Sequence, residues 1–251
     1  VANFSPSGIC TTTACAMGSG TAIWGNYVAF GARLDVGGEG SILVYKKTGS
    51  TWAFQVRLTQ SDGLTGNLGS AIAMYENTIV SGGQQRNSLR GAVWVFVRDI
   101  NTDTWAQQGS ILIPTGLVET SSILRCGAAV SIFVDWLAIG CISHLNAVGA
   151  VVMYNRTAAT WTQRQIIIPS SSIGTFGRSL NIWNDYMVVG ANGAAYIFRL
   201  VSGTWMEVRR ITSIGGVGTN NFGIASAIRN RTALISASGD SAGIGTNTGA
   251  F

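Results

Sequence analysis

The chain has 251 residues, of which 47% are apolar and 33 are glycine, and 16 basic against 11 acidic side chains give a net charge of +5. A charged fraction of only 11% excludes a disordered tail, which needs self-repulsion and little to bury. Lys46-Lys47 and Arg209-Arg210 are the only adjacent basic pairs and read as solvated edges, so no nucleic-acid partner is expected.

Mean hydropathy is +0.31, yet the longest apolar run, around 128–141, is interrupted by Asp135 and is too short to span a bilayer. No membrane insertion is expected. The apolar excess goes into a core or into contacts with other molecules.

In chain order, the sequence begins at Val1 and reads as a mature product or an excerpt. Asn3-Phe4-Ser5 is the first of three glycosylation sequons, followed by Asn155-Arg156-Thr157 and Asn230-Arg231-Thr232. Cys10, Cys15, Cys126 and Cys141 allow three pairings, and with His144 as the only histidine they do not make a zinc site. Even cysteines, sequons and low charge together predict an extracellular or cell-surface, disulfide-bonded glycoprotein.

A repeat then runs through the chain. Its opening pair is Met17-Gly18, Leu68-Gly69, Cys126-Gly127, Phe176-Gly177 and Phe222-Gly223, at intervals of 51, 58, 50 and 46 residues. After each opening come an apolar segment, a two-residue turn (Gly25-Asn26, Glu76-Asn77, Val134-Asp135, Asn184-Asp185, Asn230-Arg231) and a second apolar segment. That segment closes on small residues such as Gly31-Ala32 and Gly190-Ala191. Two β-rich runs across such a turn make a hairpin. Variable loops follow at Arg33 to Glu39, Gly83 to Arg90 and Ile142 to Val148, then a third strand such as Ala92 to Phe96. Thr-Trp at 51–52, 104–105, 160–161 and 204–205 begins a fourth.

Units of four antiparallel strands at about fifty residues predict an all-β fold, a β-propeller of five repeats in a single domain. The small closing residues are expected where strands crowd the axis, and the tryptophans where blades diverge. The fifth repeat stops at Gly249-Ala250-Phe251, the start of its third strand. Its blade is therefore either incomplete or closed by residues 1–16, which are also available as an exchanged strand. Cys126 and Cys141 fall at the two ends of one predicted hairpin, so 126–141 with 10–15 is the preferred pairing.

Phe176-Gly177 opening a strand, Val189-Gly190-Ala191 closing its partner, then Gly91-Ala92-Val93-Trp94-Val95-Phe96 and Thr-Trp resemble the FG-GAP repeat of integrin-α-type propellers. Leu58 to Gly63 and Gly66 to Gly69 are similar to the linker of its secreted bacterial and algal relatives. The resemblance implies an extracellular adhesion or assembly role. The family's calcium loop is replaced here by the two-residue turns, so no metal or other cofactor is expected. Asp35 and Glu39 read as solvated loop carboxylates.

His144 has no acid beside it in sequence and reads as a surface residue, so no catalytic group is predicted. The sequence therefore predicts a non-catalytic structural or adhesive module that assembles with copies of itself or neighbouring domains into a filament or coat. The alternative is a propeller that recognises glycans or proteins through its loops.

Overall fold

The structure is a computed structural model that describes residues 4, 8–11, 14–118, 123–171, 174–213 and 221–239. Blade I holds β1 (Met17–Trp24), β2 (Tyr27–Ala32), β3 (Ser41–Thr48) and β4 (Thr51–Leu58). Blade II holds β5 (Ala71–Tyr75), β6 (Thr78–Gly83), β7 (Ala92–Asp99) and β8 (Thr104–Gln107). Blade III holds β9 (Cys126–Phe133), β10 (Trp136–Cys141), β11 (Ala150–Thr157) and β12 (Thr160–Ile167). Blade IV holds β13 (Ser179–Trp183), β14 (Tyr186–Ala191), β15 (Ala194–Val201) and β16 (Thr204–Thr212). In blade V the described strands are β17 (Phe222–Arg229) and β18 (Thr232–Ala237). Each blade is an antiparallel meander with strands in sequence order. The first strands lie innermost and pack side by side, β1 on β5, β5 on β9, β9 on β13 and β13 on β17. The chain is thus a β-propeller. Among the described residues no helix is long and apolar enough to cross a membrane.

The turn residues explain the hairpins. Gly25, Glu76, Val134, Asn184 and Asn230 all have φ between 49° and 55°, the left-handed geometry that matches strand twist. Glu76 and Val134 accept it although a side chain there costs roughly 1–2 kcal/mol. The second strands of blades I to IV are buried almost throughout, whereas β18 buries only Ile235 and Ala237 and the outer strands β4, β12 and β16 are largely solvent-facing.

Two devices join successive blades, and both run from one repeat to the next. The first is a contact of glycine on glycine. A Cβ on Gly31 would stand 1.9 Å from the Gly69 carbonyl oxygen. For Gly82 against Gly127 the distance is 2.1 Å, for Gly140 against Gly177 it is 2.0 Å, and for Gly190 against Gly223 it is also 2.0 Å. The small closing residues therefore answer to blade-on-blade contact rather than to crowding at the axis, because the closing strand is second from the axis and meets the next blade's opening glycine.

The second device ties a glutamine to the next blade's Thr-Trp. The Trp105 indole N–H donates to Gln55 (3.3 Å), that of Trp161 to Gln108 (3.2 Å), and Gln165 exchanges two 2.9 Å bonds with the Trp205 backbone. The tryptophan fills the outer gap, and the glutamine fixes its depth.

The junction of blades I and II carries an added polar cluster. Asp103, in the β7–β8 turn at φ 57°, accepts from the Tyr27 hydroxyl (2.5 Å), Lys46 (2.6 Å), Arg98 (2.9 Å) and Gln55 (3.0 Å). Arg98 also stacks 4.6 Å over the Tyr27 ring. Lys46, expected at a solvated edge, is thus half-buried in an ion pair. Hydrogen bonds from Lys46 and Tyr27 hold the Asp103 carboxyl far below its ordinary value.

Blade I turns its remaining face to the N-terminal segment. Phe4 packs on Phe30, Tyr45 and Trp52 at 5.0–5.8 Å, and Ile9, Cys10 and Cys15 join the same apolar cluster. Cys10 is bonded to Cys15 and Cys126 to Cys141, the latter across the β9–β10 ladder. Asn3 and Gly249 to Phe251 lie outside the described residues.

Two outcomes test these contacts. Gly82→Ala is expected to lower stability by about 3 kcal/mol, because backbone rather than a flexible side chain must move; Gly25→Asn, at an open left-handed turn, is expected to change it by less than about 1 kcal/mol. Thermal denaturation of the two variants measures the difference. For Asp103, a depressed folded-state pKa contributes stability that is fully present above the unfolded value of about 3.9 and is lost as pH falls toward the folded one. Asp103→Asn is therefore expected to be less stable than the parent at pH 7, with the gap closing progressively below about pH 4 in urea melts.

Candidate functional site

The inner strands run along the axis, so their two ends define two mouths. The mouth at which they begin is polar. It opens onto a cavity of about 370 Å3 lined by Ser19, Ser70, Asn67, Gln84, Arg33 and Arg125 among others.

Local geometry presents these side chains. The residue before each opening pair is left-handed: Ala16 (53°), Asn67 (57°), Arg125 (51°), Thr175 (54°) and Asn221 (54°). This sharp entry lifts the chain at the rim before it dives into the inner strand. Ser19 and Ser70 fold back onto the carbonyls of Ala16 and Asn67 (both 2.7 Å), which fixes the rim. Arg125 is exposed and Arg33 half-buried, and neither makes an ion pair among the described residues. Among the described residues no carboxylate lines the cavity. Two guanidinium groups without an ion-pair partner among the described residues give this polar cavity a positive charge.

The loops around this mouth hold an uncommon backbone. Asn87, Ser88 and Leu89 form a left-handed turn (φ 56°, 54° and 71°), and Leu145, Asn146 and Ala147 repeat it (47°, 55° and 69°). Each turn ends in a glycine that bridges to the next opening, Gly91 to Cys126 and Gly149 to Phe176. Leu89 and Gln85 reach the cavity from the first of them.

At the other mouth, where the inner strands end, one large side chain per blade lines up. Trp24 lies 4.6 Å from Tyr75, Tyr75 5.0 Å from Phe133, and Phe133 5.2 Å from Trp183. The Arg229 guanidinium stands 5.2 Å over the Trp183 ring. Burial raises the Tyr75 hydroxyl above its ordinary pKa, and the carboxylates of Glu76 and Asp135 add to the effect.

Several sequence expectations take a different form in the structure. His144 is buried rather than on the surface, with Nδ1 3.1 Å from the Val118 carbonyl; burial lowers its pKa against that hydrogen bond. Asp35 is also fully buried. Its carboxylate accepts from the Thr11 amide (2.7 Å) and hydroxyl (2.6 Å), from Ser41 (2.7 Å) and from Arg57 (3.4 Å). Burial alone would raise its pKa, but the bonds from Thr11 and Ser41 outweigh burial and lower it. The group is spent on anchoring the N-terminal segment. Asn230 is exposed at its turn, whereas the Asn155 amide donates to the Asp135 carbonyl (3.0 Å). The rim arginines and the aromatic arc were not singled out from sequence, although an aromatic before four successive hairpin turns was there to be seen.

No protein-family model matches the chain, and no curated protein is similar to it in sequence. Solved structures do share its fold. A Bacteroides uniformis protein provisionally named a 6-phosphogluconolactonase aligns with a TM-score of 0.58 at 11% identity, covering 82% of this chain and 60% of that one. A Lactobacillus plantarum protein aligns with a TM-score of 0.57 at 12% identity, over 82% and 58%. The protein YjhT aligns with 0.53 at 12%, over 91% and 74%. The chain therefore spans about three fifths of the first two. At such identities the likeness establishes the propeller fold.

It also corrects the expected function. The non-catalytic role, whether in assembly or in loop-borne recognition of glycans and proteins, was inferred from the lack of a recognisable catalytic group and from low charge, sequons and a shortened last repeat. The same fold is found in a protein bearing an enzyme's name. The low surface charge that suggested assembly goes with blades that bury both faces on one another.

Proposed function

We propose that the protein binds and turns over a small anionic sugar derivative at its polar mouth. The observation that carries this is the pair of uncompensated arginines, Arg33 and Arg125, facing one cavity with Ser19, Asn67, Ser70 and Gln84. Guanidinium groups take phosphate or carboxylate in bidentate fashion, and the amides and hydroxyls suit a polyhydroxylated body. The name of the Bacteroides uniformis protein supports a phosphorylated sugar lactone as the substrate class. In its hydrolysis water adds to the lactone carbonyl, the ring C–O bond breaks, and the ring oxygen leaves as a hydroxyl. One arginine holds the anion, and the other stabilises negative charge developing on the carbonyl oxygen.

The two cysteine pairings support an oxidising, extracellular setting. The Phe176-Gly177 opening with its Val189-Gly190-Ala191 closure supports an FG-GAP-type repeat. Asn230 is the exposed sequon for a glycan there, whereas Asn155 is half-buried with its amide turned onto the Asp135 carbonyl. Intact mass before and after deglycosylation is expected to fall by one glycan, and Asn230→Gln to abolish that change.

Calorimetry with 6-phosphogluconate is expected to show saturable binding that weakens at least tenfold in Arg33→Ala or Arg125→Ala. Release of acid from 6-phosphogluconolactone is expected above the spontaneous rate and lost in the double variant. Absence of binding, or binding indifferent to both arginines, overturns the ligand class; binding without turnover overturns the reaction.

A further inference from the structure

The aromatic mouth lies at the opposite ends of the inner strands from the polar one, and rings and aliphatic side chains make up most of its lining. Its cavity measures about 470 Å3, within the roughly 300–1,000 Å3 of small-molecule sites. Ile182 and Ile228 form an apolar floor, and both are buried. The wall is the arc Trp24, Tyr75, Phe133 and Trp183, with neighbouring ring planes tilted by 47°, 58° and 53°. Such an arc curves around a guest and offers it both ring faces and ring edges.

Among the described residues Arg229 is the only charged side chain lining this cavity. Stacking over Trp183 holds its guanidinium against the wall, and no carboxylate pairs with it among the described residues. The acids of the neighbouring turns do not line the cavity: Asp135 pairs with Arg156 and Asp185 with Arg199, and the carboxylates of Glu76 and Asp135 act on the Tyr75 hydroxyl. An aromatic wall with one unpaired cation at its rim selects a guest with a flat apolar body and a single negative group. A cationic guest would meet the repulsion of Arg229, and a wholly apolar one would leave the guanidinium unused.

We infer that this mouth is a second ligand site, for a small aromatic carboxylate, with the ring body against Trp24, Tyr75, Phe133 and Trp183 and the carboxylate on Arg229. Titration calorimetry of the full chain with indole-3-acetate, and with 3-methylindole as its neutral counterpart, tests it. Indole-3-acetate is expected to bind at one site and at least tenfold more tightly than 3-methylindole. Arg229→Gln, a change at an exposed residue, is expected to erase that difference while leaving the neutral compound's affinity unchanged. Trp183→Leu is expected to weaken both compounds. The double variant Arg33→Ala/Arg125→Ala is expected to bind indole-3-acetate like the parent, which separates this site from the polar mouth. Failure of indole-3-acetate to saturate, equal binding by parent and Arg229→Gln, or loss of binding in the Arg33→Ala/Arg125→Ala protein overturns the inference.

Discussion

Everything in this propeller rests on backbone meeting backbone between blades. Where Gly31 touches Gly69, and likewise at the next three junctions, no side chain can intervene, so the second strand of one blade and the opening of the next lie at a fixed distance. That spacing sets how far the blades splay toward the rim, and hence how large a gap Trp105, Trp161 and Trp205 must fill. The glutamine ties then act at the wide end as the glycines act at the narrow one. A blade held at two radii cannot rock, and its inner strand is carried to a set position around the axis.

The two mouths inherit that rigidity. At the polar end the left-handed residue before each opening pair is part of the same glycine-bearing turn, so Arg125 is projected by backbone that the blade junction already constrains. At the aromatic end each ring is the last residue of an inner strand, immediately before a left-handed turn. Neither mouth depends on a long flexible loop. The arginine-lined cavity and the aromatic one are thus separated by the length of the inner strands.

Much of the architecture was legible because it is written in glycine and tryptophan, whose roles are nearly forced. A recurrent Phe-Gly or Leu-Gly opening and a Thr-Trp start have few structural uses, and the blade boundaries follow from them. The glutamine ties were not legible, since Gln55 and Gln165 sit in outer strands that are otherwise variable and polar and Gln108 follows the end of another. Asp35 was misread because its principal donor, Thr11, lies 24 residues away, a closeness only the folded chain creates. His144 likewise looked like a loop residue until the fold placed Val118 beside it. The arginine pair was hidden in the same way: Arg33 ends one hairpin and Arg125 precedes another, and only the packing of inner strands brings them to one cavity. The four aromatics were legible in principle, each standing before a hairpin turn, but attention to the Thr-Trp tryptophans passed over them.

The direction of the blade-to-blade ties has a consequence for how such a chain changes over time. Each of the first three junctions uses the closing glycine and outer glutamine of one repeat and the opening glycine and tryptophan of the next, so the repeats between them carry one half of two different seams. Whole repeats can then be duplicated or lost with each surviving seam still matched. The interfaces dictate the wedge between neighbours and leave the tally of blades unstated.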